Sequence, residues 1–188
     1  LYLDEDIMNY SSQLIKAAQT LSQAVGELHF SPPVTTVYNP LEYAWESYSL
    51  YINTYGNSRK KVVFLGMNPG PWGMAQTGVP FGEIDAVKNW LGIEALVGKP
   101  SKEHPQRPVE GFQCQRSEIS GLRLWKLFKE RFGDARSFFQ QHFIANYCPL
   151  VFMEASGRNR TPDKLKADES RLLFEACDYH LQQVVKIL

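Results

Sequence analysis

Gly66-Met67-Asn68-Pro69-Gly70-Pro71-Trp72-Gly73-Met74-Ala75-Gln76-Thr77-Gly78-Val79-Pro80-Phe81-Gly82 follows directly on the apolar run Val62-Val63-Phe64-Leu65. A buried strand thus runs into a loop with five glycines, three prolines and the rings of Trp72 and Phe81. Glycine lets backbone approach a ligand closely, and proline fixes the path of the chain. Such a loop at the end of a strand is a natural place for a rigid small-molecule pocket. The plain alternative is a strand-to-helix connection, but those usually take about 2–6 residues. A phosphate-binding Walker loop is excluded because Gly-Lys-Ser/Thr is missing, and the Gly-x-Gly-x-x-Gly spacing of dinucleotide folds also fails.

Outward from this loop, helices and strands alternate. On the amino side, Ile7, Leu14, Ile15, Ala18, Leu21, Val25 and Leu28 recur at helical spacing, so residues 4–28 are expected to form an amphipathic helix ended by Ser31-Pro32-Pro33. Tyr38-Asn39-Pro40 leads into a short helix over 41–50. On the carboxyl side, 83–91 reads as a helix with Ile84, Val87 and Leu91 on one face, and 92–117 as an excursion over the surface. Residues 117–132 form a helix striped by Leu122, Trp125, Phe128 and Phe132, and 137–141 a further helical turn. His142-Phe143-Ile144-Ala145-Asn146-Tyr147 is a second strand, ended by Cys148-Pro149. Residues 154–166 form a polar loop, Thr161-Pro162 resembles a cap with proline at the first helical position, and Leu172, Ala176, Leu181, Val184 and Leu188 mark a final helix. The alternation implies an α/β layer structure on a parallel sheet. Two strands cannot cover so many helical faces, so more strand sequence is expected beyond residue 188.

Composition narrows the class. The chain has 188 residues, is 44% hydrophobic and carries zero formal net charge, so it suffices for one domain with a core and lacks a general nucleic-acid-binding coat. Cys114, Cys148 and Cys177 are odd in number and widely spaced, which argues against a disulfide framework. His29, His104, His142 and His180 are scattered, and no zinc or iron–sulfur spacing occurs. No apolar run approaches a membrane span and no signal pattern is present. Neither metal, cofactor nor membrane is expected.

The quoted loop, with Tyr38-Asn39-Pro40, Glu42-Tyr43-Ala44-Trp45, Asn146-Tyr147-Cys148-Pro149-Leu150, Ser156-Gly157-Arg158-Asn159 and Thr161-Pro162, closely resembles the single-strand-selective, monofunctional branch of the uracil-DNA glycosylases. The resemblance runs from residue 38 to the end. It implies a three-layer α/β/α sandwich with a central parallel sheet, and hydrolysis of the N-glycosidic bond of uracil and 5-modified uracils in single- and double-stranded DNA. It further implies free uracil as product, a monomeric state and a place in the nucleus. A non-catalytic DNA- or nucleobase-binding α/β module, and a small-molecule binder that never meets DNA, are the alternatives.

On that resemblance Asn68 positions the attacking water. An amide orients water but hardly deprotonates it, so departure of the base is expected to run ahead of attack. Asn146, at a strand end where α/β sheets place ligands, would donate to uracil O4 and accept from N3–H; cytosine presents the opposite pattern. Phe81 would stack on the extruded base, with Met67 and Gly70 adding backbone contacts. Outside this setting, Asn68 reads as a turn residue, Asn146 as a strand-end cap and Phe81 as core. Ser156, Gly157, Arg158, Asn159, Arg160, Lys164 and Lys166 would contact DNA phosphates, aided by a helix starting near Thr161; a solvated loop is the alternative. The Gly66–Gly82 loop holds no lysine, in keeping with chemistry that has no lyase step. The family's second motif, a His-Pro-Ser-Pro segment whose histidine would stabilise the departing anion, has no counterpart. His104-Pro105 shares two letters and reads as surface loop. Residues 1–188 are therefore expected to be one domain, incomplete at its carboxyl end.

Overall fold

The computed structural model describes residues 9–188; the first residues of the expected amino-terminal helix, Ile7 among them, lie outside these. The elements in order are α1 (Tyr10–Gly26), β1 (Val34–Tyr38), α2 (Pro40–Tyr43), α3 (Trp45–Tyr55), β2 (Val62–Gly66), α4 (Met74–Thr77), a π-helical turn (Ala86–Trp90), α5 (Ile119–Phe132), α6 (Ala135–Phe139), β3 (His142–Asn146), β4 (Val151–Glu154), β5 (Asn159–Arg160) and α7 (Ala167–Ile187). Asn9 starts α1 by accepting from the Ser12 N–H at 2.8 Å, and Asn39 starts α2 by accepting from Leu41 N–H ahead of Pro40.

The two strands expected from sequence pair in parallel, β2 with β3, in a register that sets Val62 beside His142 and Gly66 beside Asn146. Successive side chains leave a strand on opposite faces. Phe64 therefore meets Phe128 of α5 at 5.2 Å between ring centroids, while Phe143 turns to Tyr51 of α3 at 5.3 Å. Helices thus pack on both faces of the pair, but β2 is not the buried strand expected from sequence: Val62 and Leu65 are 41% and 46% exposed. The buried Tyr51 hydroxyl donates to the Ile144 carbonyl at 2.7 Å, tying α3 to β3 without leaving a polar group stranded. Phe128 and Phe138 stack at 4.3 Å, Tyr55 and Phe139 at 4.0 Å, giving this core its aromatic character. On the helical side, α1 lies along α7, with Leu21, Val25, Leu173 and Cys177 buried together.

Three strands were not expected. β4 pairs antiparallel with β1 on one side and β5 on the other. β1 is the run Val-Thr-Thr-Val-Tyr, of good strand character, but it is only five residues long and bounded by Pro33 and Asn39. β4 and β5 are shorter still.

Other local expectations need correction. Leu122 is 47% exposed, so the buried face of α5 is Gly121, Trp125 and Phe128. Thr161 does stand at the cap of a helical turn with Pro162 at its start, but that turn is a single 3-10 turn, Pro162–Lys164, and the long helix α7 begins only at Ala167. Its first turn already holds Asp168 and Glu169, and Glu169 accepts from the Ser31 N–H at 2.8 Å, so this helix end offers nothing to a phosphate. His104 is not a surface residue but is buried, accepting at Nδ1 from Gln106 N–H, which leaves Nε2 to donate to the Glu154 carbonyl at 3.0 Å.

The excursion over 92–117 has little regular structure yet is firmly attached. Ile93 and Val109 are buried. Gln76, fully buried in α4, donates to the Pro71 and Pro108 carbonyls at 2.9 and 3.0 Å and accepts from Glu110 N–H at 2.8 Å. One side chain therefore joins the glycine-rich loop to the excursion. Gln76→Leu strands a buried N–H and removes the donor to two carbonyls, so it is expected to destabilise the chain by about 2 kcal/mol or more, read as a lower urea midpoint at unchanged m-value.

Candidate functional site: the cavity at the ends of β2 and β3

Parallel pairing continues past the strands. Tyr147 N–H donates to the Gly66 carbonyl at 2.8 Å and Cys148 N–H to the Met67 carbonyl at 2.9 Å. The loop carrying Asn68 and the strand end carrying Asn146 are thereby held side by side. Between them opens a cavity of about 100 Å³, continuous with solvent and bordered by Met67, Asn68, Gly70, Phe81 and Asn146. All five residues singled out for base binding and chemistry line this one space.

Each is oriented by its surroundings. Asn68 Nδ2 donates to the Leu150 carbonyl at 3.1 Å. A carbonyl can only accept, so the amide nitrogen must point there, and Oδ1 is left without a partner among the described residues. Asn146 Nδ2 donates to the Met74 thioether at 3.2 Å, the only hydrogen bond of its side chain among the described residues. Sulfur is a weak acceptor, so this contact orients the amide and leaves its second N–H and its oxygen available.

Phe81 is placed by its backbone. It has φ of +53°, a region that bulky residues avoid, at a cost of order 1–3 kcal/mol. Its carbonyl accepts from buried Trp125 Nε1–H at 2.8 Å and from Glu83 N–H at 2.7 Å. That carbonyl also rests on Gly121, where a Cβ would come within 2.2 Å of it. α5 thus has a glycine where the Phe81 backbone must enter. The ring in turn covers Gly66: a Cβ there would lie 2.7 Å from the ring and 2.5 Å from Asn146 Oδ1. Gly66 is the point on which ring and amide converge. Around Gly70, by contrast, a Cβ would meet nothing within 4 Å, so its backbone borders open space.

Pro69, Met74, Glu118 and Ser120 complete the lining. Glu118 and Ser120 were not anticipated. They come from the start of α5, where Glu118 caps the helix by accepting from Ser120 and Gly121 N–H at 3.2 and 2.6 Å. The local Ser-Glu-Ile-Ser pattern signals a helix start, but nothing in it indicates that this start faces the loop forty residues earlier. Among the described residues no histidine borders the cavity, and no cluster of metal-ligating side chains occurs.

The basic loop is divided in its allegiance. Ser156, Arg158, Asn159, Lys164 and Lys166 are exposed. Arg160 is instead drawn inward, paired with Glu154 at 2.6 Å and donating to the Lys164 carbonyl at 2.7 Å. Gly157 is buried against His104 and Gln106, and its carbonyl accepts from Arg107 Nε–H at 2.9 Å.

Comparison with known proteins agrees with this architecture. Residues 54–188 match the model of the uracil DNA glycosylase superfamily. A mouse protein named as a single-strand selective monofunctional uracil DNA glycosylase is 47% identical over 168 residues, covering 89% of this chain and 60% of that protein. Proteins of the same name from rat and cattle are each 48% identical over 168 residues, covering 89% of this chain and 60% and 62% of theirs. The chain therefore spans about three fifths of the length of these curated relatives. The solved structure of wild-type Pedobacter heparinus SMUG2 superimposes with a TM-score of 0.63, over 96% of this chain and 72% of that one, at 18% identity, a likeness of fold. The α/β architecture and the extent of these matches show that the chain belongs to the uracil DNA glycosylase superfamily.

Proposed function

We propose that this chain recognises and excises uracil, and 5-modified uracils such as 5-hydroxymethyluracil, from single- and double-stranded DNA by hydrolysis of the N-glycosidic bond. The observation that carries the reading is the convergence of Asn68, Phe81 and Asn146 on one cavity. A pyrimidine inside a base stack cannot reach such a site, so the nucleotide is extruded into it. The extruded ring stacks on Phe81. Asn146 donates to O4 and accepts from N3–H through the groups that Met74 leaves free. Cytosine would set donor against donor and acceptor against acceptor at the same atoms, a mismatch that a site built for hydrogen bonding can reject by on the order of 10⁴-fold.

In the chemical step the N1–C1′ bond breaks, its electron pair leaves with the base, and C1′ takes on oxocarbenium character. Water held by the free Oδ1 of Asn68 adds to C1′, and the proton it sheds ends on the departed uracil anion, yielding free uracil and an abasic sugar. The amide cannot act as a strong base, so its contribution is aim. On this reading the protein works as a monomer in the nucleus. The exposed members of the 156–166 loop, Arg158 first among them, hold the phosphates of the bound strand.

Asn68→Ala is expected to lower single-turnover uracil release by at least about 10²-fold while leaving affinity for a uracil-containing oligonucleotide within about twofold. An unchanged release rate removes Asn68 from the chemistry. Binding without release by the unsubstituted chain and by a form carrying the full length of its relatives favours a non-catalytic binding module. Asn146→Asp removes the N–H donors and is expected to erode the preference for uracil over cytosine, measured as the ratio of release from matched oligonucleotides; a preserved ratio defeats the assignment.

A further inference from the structure

Trp72, in the glycine-rich loop, has two cations over its ring: the guanidinium carbon of Arg107 at 5.1 Å from the ring centroid and that of Arg116 at 5.4 Å. Both arginines come from the excursion that seemed, from sequence, to be a surface detour. Neither takes part in any ion pair among the described residues. Three carboxylates of the surrounding segments have partners of their own, and exposed Glu110 lies by the Cys114 thiol. Glu118 caps α5, Glu154 holds Arg160, and Glu103 binds Lys99 and the Val109 N–H. Two positive charges are therefore gathered at one ring without an ion-pair partner among the described residues, in a chain whose formal net charge is zero. Cation–π attraction of about 0.5–1 kcal/mol each at exposed positions helps hold them there.

The arrangement is built rather than incidental. Gln76 bridges the carbonyls of Pro71 and Pro108, the neighbours of Trp72 and Arg107, and so locks ring and guanidinium in register. The cluster has a place relative to the cavity: Trp72 is two residues from Gly70, and Arg116 two residues from Glu118, both lining residues. It also has a direction, because Arg107 binds the Gly157 carbonyl, next to exposed Arg158.

We propose that Trp72, Arg107 and Arg116 form a platform for the phosphates flanking the extruded nucleotide, with the bound DNA strand running from the cavity over this platform towards Arg158. The proposal rests on the glycosylase reading and adds to it the path of the strand. Guanidinium groups fit phosphate oxygens in a two-pronged geometry, and the indole under them holds both in place by cation–π attraction.

The test is the salt dependence of binding, measured with the full chain and a fluorescent single-stranded oligonucleotide containing one 2′-fluoro-2′-deoxyuridine, a nucleotide whose glycosidic bond resists hydrolysis. A matched thymine oligonucleotide serves as reference. Each phosphate neutralised adds about 0.7 to the slope of log K against log salt for single strands. Arg116→Gln, which breaks no hydrogen bond, is expected to reduce the slope by about 0.7, and Arg107→Gln combined with it by about 1.4. Lys16→Gln on α1 is expected to leave the slope unchanged, as is the preference for the uracil analogue over thymine in every variant. A slope unaltered in Arg116→Gln and in the double variant, with that preference intact, overturns the platform alone. A chain showing no preference for the uracil analogue overturns the glycosylase reading and the platform with it.

Discussion

The parallel register that sets Gly66 beside Asn146 is the constraint on which the site depends. Because side chains alternate along a strand, a slip of one residue would turn Asn146 to the opposite face and carry the loop after β2 out of line with it. The register is held from both faces. Phe64 is gripped by α5 and α6, Phe143 by α3, and the Tyr51 hydroxyl closes onto the Ile144 carbonyl. Ordinary core packing thereby fixes the relative height of two carboxamides more than seventy residues apart in the chain.

Phe81 shows how a strained residue is kept in place. Its backbone sits where an aromatic residue is rarely found, yet three separate contacts converge on its carbonyl: the Trp125 indole, the Glu83 amide and the bare backbone of Gly121. Each comes from structure assembled after the loop in sequence. The ring is consequently presented by the body of the protein rather than by the loop's own preferences, and a flat wall is ready before any ligand arrives. Pre-formed walls of this kind spare the ordering cost that binding would otherwise meet.

What could be read from sequence followed contiguity. The glycine-rich loop is one unbroken stretch, and its strand, its carboxamide and its ring were all legible. Asn146 was legible because it ends an apolar run. Arg160 was assigned to DNA along with its neighbours because composition registers charge but not its partner; Glu154 meets it only because β4 and β5 fold back on each other. His104 looked like loop because two of its hydrogen-bonding partners, the Tyr38 hydroxyl and the Glu154 carbonyl, reach it only after folding. Glu118 and Ser120 reach the cavity by tertiary placement alone. The antiparallel strands were obscured by brevity, since three or four apolar residues do not distinguish a strand from a connector.

The Met74 sulfur illustrates a compromise between order and readiness. Had the Asn146 amide rested on a backbone carbonyl, an incoming base would have had to compete with an acceptor as good as its own. Resting on a thioether, the N–H keeps its direction but gives up little when a better oxygen appears. The same logic makes the chemical state of that sulfur matter. A sulfoxide at Met74 would be a strong acceptor in the same spot, and the amide would then be satisfied by the protein itself. At 3% exposure, the side chain is kept away from the oxidants that would make that change.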